Sequence, residues 1–144
     1  MILETRHVGI VIQDMEQSLR FWRDIMGLKV AVDFWEEGKF IDTVQQLTGV
    51  KLHMIKLSAP DGSMVELLHD VAHPTDSPGQ DKLCDAGIRH IAFTVADVED
   101  AWRTLTQHGC QVLSTPTSSP DGRARLFFAR DPEGNLLEIV QMLQ

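Results

Sequence analysis

The chain has 144 residues, 43% of them hydrophobic, which is enough for one globular domain or for two small halves that share a core. A formal net charge of −8 argues against a nucleic-acid partner and against an anionic membrane surface, because both require basic residues. No apolar run is long enough to span a bilayer, and Cys84 and Cys110 are too few and too far apart for a zinc motif or a disulfide framework. We therefore expect a reduced, cytoplasmic protein.

The first half opens with a strand-like run at residues 6–12. Alternate side chains of an extended chain point to opposite faces, so that one face carries His7 with small neighbours and the other is wholly apolar. Asp14 is then a good N-cap, and apolar residues recur at helical spacing as far as Gly27. The sequence therefore predicts a strand followed by a helix.

Three further strands are predicted in this half, at residues 30–35, 50–57 and 64–68, with a Pro-Asp-Gly turn at 60–62 between the last two. The stretch at 39–50 is harder to interpret. Its apolar residues fit either a short amphipathic helix or an ordered lid over a pocket. The sequence leaves both alternatives open.

A change in composition divides the chain. Residues 74–87 are rich in Pro, Ser, Asp and Gly, which predicts a linker. The linker separates module one, at 1–73, from module two, at 88–144, within a single domain of residues 1–144. Module two restarts the pattern with a strand at 89–95, which again begins with an Arg-His pair.

The rest of module two follows the order of module one. Asp97 is a second N-cap, and the helix that it begins closes at Gly109. The remaining predicted elements are three strands and one loop, namely strands at 110–113, 124–129 and 136–140 and a loop at 116–122.

The two halves match at both of their ends. His7 corresponds to His90 at an offset of 83, and Glu66 corresponds to Glu138 at an offset of 72. Each half therefore reads β-α-β-β-β, beginning with a histidine strand and ending with a glutamate strand. This repeat predicts an α+β fold built from two βαβββ modules.

The four repeated polar residues have a plain interpretation and a functional one. Taken alone, each strand histidine or glutamate is best explained as a hydrogen-bonded or solvent-facing residue. Taken together, His7, Glu66, His90 and Glu138 occupy equivalent ends of equivalent modules, and a carboxylate within an apolar strand needs a partner, a metal or a wet cavity. If the modules pair about a pseudo-twofold axis, these four residues converge on a common site.

Two imidazoles and two carboxylates suit a divalent ion of intermediate hardness, namely Ni, Co, Zn, Mn or Fe(II). Octahedral coordination leaves two neighbouring positions for water or substrate. This donor set therefore predicts Lewis-acid chemistry on a substrate with two adjacent oxygens, in which an enediolate or enolate is stabilised and a carboxylate moves a proton.

The sequence resembles the vicinal oxygen chelate superfamily, also called the glyoxalase, bleomycin-resistance and extradiol-dioxygenase fold, over nearly its whole length. The resemblance is carried by short motifs that occur in family order and at family-like spacing. These motifs are HVGIVIQD at 7–14, Phe21-Trp22, GLKV at 27–30, MVELL at 64–68, HIAFTV at 90–95 and DPEGNLLE at 131–138.

The resemblance implies a fold, a ligand set and an assembly. The two modules would pair into an incompletely closed barrel around a metal site, whose ligands fall on His7, Glu66, His90 and Glu138. Family members are commonly dimers, some with sites across the subunit interface, so we expect a homodimer that binds a small-molecule substrate.

The resemblance also implies a reaction class. The ligand set is similar to those of glyoxalase I and methylmalonyl-CoA epimerase, which implies a metal-dependent lyase or isomerase acting on a small 2-oxo, 2-hydroxy or acyl-thioester substrate. The alternatives are a non-catalytic binding or resistance protein of the same fold and an Fe(II)-dependent dioxygenase. Glyoxalase I usually has an arginine for the glutathione carboxylate where this chain has Val11.

We assign roles to a small set of residues on this basis. Glu138, with Glu66 as its pseudo-symmetric partner, is expected to abstract or return the proton. Trp35 and Phe40 are candidates for lining the pocket, and Arg125 is a candidate for holding an anionic substrate group.

Overall fold

The computed structural model describes residues 1–76, 79 and 81–144 of the chain. The chain divides into two compact units, Met1–Asp76 and Ser77–Gln144, each with its own sheet. The assignment of the whole chain to a single domain stays a prediction. Within the described residues, no helix has the length and apolar character needed to cross a membrane.

The first unit is a four-stranded mixed sheet with helices inserted between its strands. Strand β1 lies parallel to β4, and the other neighbours in the order β1-β4-β3-β2 are antiparallel. The elements are β1 (Val8–Val11), α1 (Met15–Leu19), a π-helical segment that continues α1 (Arg20–Ile25), β2 (Lys29–Glu37), α2 (Lys39–Gln45), β3 (Lys51–Ser58) and β4 (Met64–Asp70).

The second unit repeats this topology. Strand β5 lies parallel to β8, and the order of the sheet is β5-β8-β7-β6. The predicted α+β fold class, with two βαβββ modules, is confirmed. The elements are β5 (His90–Thr94), α3 (Val98–Gln107), β6 (Thr117–Ser118), β7 (Ala124–Arg130) and β8 (Leu136–Met142).

Each unit has an equivalent hydrogen bond at the start of its first helix. The carboxylate of Asp14 accepts from the backbone N–H of Gln17, and that of Asp97 accepts from the N–H of Asp100, both at 3.0 Å. Such N-caps satisfy backbone N–H groups that the first helical turn leaves without a partner. The offset of 83 therefore relates two structurally equivalent helix starts.

The offset of 72 relates the two turns that precede β4 and β8. The N–H of Gly62 donates to the carbonyl of Ala59, and the N–H of Gly134 donates to the carbonyl of Asp131, both at 3.0 Å. Both glycines have positive φ, 87° and 90°, which a side chain would make unfavourable. These turns set the register in which Glu66 and Glu138 enter their strands.

The apolar face of each sheet forms a core with the helix of its unit. In the first unit the buried side chains include Trp22 of the π-helical segment and Leu57 and Leu67 of the sheet. In the second unit, Leu105 of α3 and Ile139 of β8 are buried in the same way. Glu66 and Glu138 lie on the opposite faces, because side chains alternate along a strand.

The ambiguous stretch at 39–50 contains a helix, α2. Ile41 is buried with Val50 and Leu52, and this cluster anchors the helix to the sheet. The carboxylate of Asp42 accepts hydrogen bonds from the backbone N–H groups of Gly49 and Val50, both at 2.9 Å, which hold its pKa below the ordinary value. These contacts fix the loop that follows α2.

Two sequence-based elements are wrong in module two. The strand predicted at 110–113 is reduced to a single bridge between Val112 and Ala129, and the loop predicted at 116–122 contains the two-residue strand β6. Both errors have the same cause. The segment that forms the edge strand is the one that pairs with β7, and local β-propensity does not decide this.

Candidate functional site

The first candidate ligand pair lies at the junction of β1 and β4. Gly9 is opposite Glu66 in the parallel pairing of β1 with β4. His7 lies two residues before Gly9, just ahead of β1, and so is on the same face of the sheet. As a result, Nε2 of His7 lies 3.0 Å from Oε2 of Glu66. Glu66 is 6% exposed, so its carboxylate is held close to the imidazole and away from solvent.

Gly9 lies beside Leu68 and the Glu66 carboxylate. A Cβ atom at Gly9 would lie 3.3 Å from Cδ1 of Leu68 and 3.8 Å from Oε2 of Glu66. A Cβ would therefore meet Leu68 first, and only a larger side chain would push against the Glu66 carboxylate.

A lysine completes the surroundings of Glu66. Lys56 pairs with Glu66 across the β3–β4 hairpin, and its Nζ lies 3.4 Å from Oε1 of Glu66. Lys56 is not among the site residues predicted from the sequence. Its signal was present, because a hairpin with a turn at 60–62 brings residues 56 and 66 opposite each other.

The second candidate pair occupies the equivalent place in the second unit. Ala92 pairs with Glu138 between the parallel strands β5 and β8, and Nε2 of His90 lies 3.2 Å from Oε2 of Glu138. Phe128 pairs with Glu138 across β7–β8, and its ring meets the His90 imidazole edge-on at a centroid distance of 5.5 Å. Here an aromatic ring stands where the first unit has a lysine.

The spacing within each pair is compatible with metal ligation. Two N or O ligand atoms bound side by side at about 2.1 Å from an ion lie about 3 Å apart, which is also the length of an ordinary hydrogen bond. Among the residues that the structure describes, no three His, Cys, Asp or Glu side chains are grouped so that they could hold a metal ion. The quartet is thus observed as two pairs, and its union into one four-ligand site stays a prediction.

Trp35 lies in β2 on the face opposite Glu66. It pairs with His53, which is three residues from Lys56 along β3 and therefore points to the other face. The Trp35 and His53 rings stack at 4.6 Å, and Nε2 of His53 lies 2.7 Å from Oδ1 of Asp33. The register does not bring Trp35 to the His7–Glu66 pair, and its role in substrate binding stays a prediction.

The other two predicted substrate-binding residues have different surroundings. Phe40 is exposed on α2, next to the buried Ile41. Arg125 donates from Nε to Oε1 of Glu99 at 2.8 Å and from Nη1 to Oγ of Ser118 at 3.1 Å, so it ties β7 to α3. It faces the helix, away from Glu138, and holding a substrate anion stays a prediction for it.

The turn before β8 contains a buried carboxyl group. Oδ1 of Asp131 accepts from the N–H groups of Glu133 and Asn135, and Oδ2 accepts from Nδ2 of Asn135. Burial raises the pKa of Asp131 above its ordinary value, although these hydrogen bonds oppose the shift. Asp131 thus orders the turn from which the strand of Glu138 starts.

Comparison with known proteins identifies the family. The model of the Glyoxalase/Bleomycin resistance protein/Dioxygenase superfamily matches residues 5–139, and the chain belongs to this superfamily. It is 28% identical over 146 residues to an ethylmalonyl-CoA/methylmalonyl-CoA epimerase of Cereibacter sphaeroides, covering 99% of this chain and 100% of that protein.

Two further comparisons bear on activity and fold. The chain is 28% identical to a lactoylglutathione lyase of Schizosaccharomyces pombe over 144 residues, which cover 93% of this chain but 46% of that protein. A glyoxalase family protein from Bacillus cereus has a solved structure similar to this one, with a TM-score of 0.90, 24% identity and coverage of 100% of this chain and 97% of that one. At this identity the structural likeness establishes the fold alone.

Proposed function

We propose that this protein is a metal-dependent lyase or isomerase whose divalent ion is held by His7, Glu66, His90 and Glu138. The observation that carries the proposal is the pair of imidazole–carboxylate contacts, 3.0 and 3.2 Å long, at equivalent registers of the two sheets. In each module a strand carboxylate thus lies against an imidazole, and the two pairs together supply the nitrogen and oxygen donors that such an ion takes.

The residues of the chain would divide the work as follows. His7 and His90 present Nε2 as neutral nitrogen donors, and Glu66 and Glu138 present carboxylate oxygens. When bound, a Ni, Co, Zn, Mn or Fe(II) ion supplies Lewis-acid stabilisation of negative charge on two adjacent substrate oxygens. Glu138 is more exposed than Glu66, 21% against 9% for the side chains, so it can accept a proton from the substrate carbon and return it.

The epimerase relative and the residue Val11 favour an acyl-thioester as the substrate. A small acyl-thioester with an acidic carbon next to its carbonyl fits the epimerase relative, which matches this chain from end to end. Val11 is exposed where glyoxalase I usually carries its glutathione-binding arginine, and this favours an acyl-thioester over a glutathione hemithioacetal. We also propose that the protein acts as a cytoplasmic homodimer.

The test is the metal content of protein purified without added metal, beside His7→Ala and Glu138→Ala variants. We expect one equivalent of a first-row divalent ion in the wild type and its loss in both variants, with circular dichroism unchanged. His108→Ala is the matched control, because His108 is exposed and lies after α3, outside the quartet. Substrate screening would then compare 2-methyl acyl-CoA esters with hemithioacetals.

Other results would point to the alternatives. Absence of metal even after reconstitution, with both variants folded, would leave a binding or resistance protein of this superfamily. Metal-dependent oxygen uptake would instead indicate a dioxygenase.

A further inference from the structure

The two glutamates occupy equivalent registers but have different neighbours across their hairpins. Lys56 stands opposite Glu66, and Phe128 stands opposite Glu138, at the offset of 72 that also relates the two glutamates. Lys56 and Phe128 are therefore equivalent positions of the two modules. One carboxylate has a cation beside it, and the other has an aromatic ring.

The two oxygens of Glu66 have separate partners. Oε2 lies 3.0 Å from Nε2 of His7, and Oε1 lies 3.4 Å from Nζ of Lys56. The Lys56 side chain is itself only 19% exposed, so the interaction is shielded from solvent more than a surface ion pair is. A carboxylate held at both oxygens cannot rotate without breaking one of the two contacts.

Glu138 is held differently. Oε2 lies 3.2 Å from Nε2 of His90, and within the described residues no lysine or arginine forms an ion pair with this carboxylate. The neighbouring Phe128 ring offers no hydrogen bond to it. Glu138 therefore keeps one oxygen free of a charged partner and has more solvent exposure.

We infer that Lys56 is a positioning residue that fixes Glu66 with Oε2 toward His7 and thereby makes the two glutamates unequal. Glu66 is then a static ligand, while Glu138 is the carboxylate that turns to move the proton. This inference rests on the proposed function, and it assigns a role to a residue outside the predicted ligand set. Groups that orient metal ligands from behind commonly change metal affinity by 10- to 100-fold when they are removed.

Titration with Co²⁺ tests the inference without any substrate. The proteins compared are the wild type, Lys56→Met, Lys56→Arg and Lys51→Met, and the readouts are the dissociation constant and the visible absorption spectrum of the bound Co²⁺. Lys51 is the matched control, because it lies on the same strand as Lys56, β3. The two residues are five positions apart, so the Lys51 side chain points to the other face of the sheet. Removing it changes net charge equally.

We expect Lys56→Met to bind Co²⁺ about 10- to 100-fold more weakly and with an altered spectrum, because Glu66 is free to change its mode of ligation. Lys56→Arg should restore both readouts, and Lys51→Met should match the wild type. A merely structural role would lower thermal stability without altering the spectrum of the bound ion. If Lys56→Met does not fold, Lys56→Ala replaces it, because alanine also removes the group that contacts Glu66 but adds no long apolar side chain.

The outcomes separate this inference from the proposed function. Wild-type affinity and an unchanged spectrum in Lys56→Met or Lys56→Ala would overturn the role of Lys56 and leave the metal site intact. A wild-type protein that binds no Co²⁺ would overturn the proposed function and the role of Lys56 with it.

Discussion

Single residues control the space around the Glu66 carboxylate. At Gly9 a Cβ would lie 3.3 Å from Leu68, which is a tight contact, and 3.8 Å from Glu66, which is an ordinary one, so only a larger side chain would reach the carboxylate. The equivalent position in the second unit, Ala92, carries a methyl group beside the more exposed Glu138. The first unit is therefore the more tightly packed of the two around its ligand pair.

This packing yields a prediction for Gly9→Val. The branched side chain should displace Glu66 from His7, which should weaken Co²⁺ binding at least tenfold and lower the free energy of unfolding by about 1–3 kcal/mol. Isothermal titration and urea denaturation measure the two effects. Gly9→Ala should fall between wild type and valine, and equal metal affinity in all three proteins would contradict the placement of the carboxylate.

A second residue-scale prediction concerns Asp131, whose pKa is raised first by burial. A carboxyl that holds its proton more tightly when folded contributes stability below its unfolded pKa, and this contribution is lost as the pH rises through the folded pKa. The free energy of unfolding of the wild type, relative to Asp131→Asn, should therefore decrease as the pH rises above about 4, the ordinary pKa of an aspartate, and through the raised pKa of the folded state. Urea denaturation followed by tryptophan fluorescence measures this difference.

Asp61, in the equivalent turn of the first unit, is the control with the opposite sign. Hydrogen bonds from the side chain and backbone of Ser63 lower its pKa. Its contribution is present above the unfolded pKa and is lost as the pH falls, so Asp61→Asn should show the reverse trend. A wild-type advantage over Asp131→Asn that grows with pH would contradict the prediction.

At the scale of elements, the first helix differs from its counterpart in the second unit. After Leu19 it continues as a π-helical segment, in which the N–H of Met26 donates to the carbonyl of Phe21, five residues earlier. The segment buries both Phe21 and Trp22, whose rings meet edge-on at 5.1 Å. Two adjacent aromatic side chains are therefore buried together where the helix widens.

This arrangement predicts that Trp22→Ala lowers the free energy of unfolding by about 3–5 kcal/mol, because the side chain is fully buried and its loss leaves a cavity. The matched control is Trp35→Ala, which removes the same side chain from an exposed position and should cost less than about 1 kcal/mol. Guanidinium denaturation distinguishes them. Similar losses for the two variants would show that Trp22 does not hold the π-helical segment in the core.

At the scale of the whole molecule, the proposed function requires that the two ligand pairs bind one ion. A single four-ligand site predicts one Co²⁺ per chain and a raised midpoint of thermal unfolding, with about 4 kcal/mol of stabilisation at a thousandfold excess over the dissociation constant. Each of His7→Ala and His90→Ala should abolish the whole effect, because each removes a ligand of the same ion.

Two independent sites would give a different pattern. Two ions would bind per chain, and each histidine variant would remove one of them and part of the stabilisation. Metal stoichiometry by mass spectrometry of the native protein, beside the thermal midpoints of both variants, decides between the patterns. His108→Ala again serves as the control.

Much of this fold follows from local patterns. The N-caps at Asp14 and Asp97 and the glycine turns at Gly62 and Gly134 can be identified from the sequence, because each depends on a short-range hydrogen bond or on positive φ. The repeat also predicted that each half begins with a histidine strand and ends with a glutamate strand, but the pairing of those two strands within a unit came from the structure.

The sequence by itself thus determined the family, the two βαβββ modules and the residues of both candidate ligand pairs. Only the tertiary structure decided which strands are neighbours. It shows Lys56 beside Glu66. It also shows Trp35 on the other face of its sheet and Arg125 in a hydrogen bond to Glu99. The physical reason is the range of the interactions. Caps, turns and periodicity act within a few residues, whereas strand register joins residues far apart in the chain, and a shift of one residue reverses every side chain.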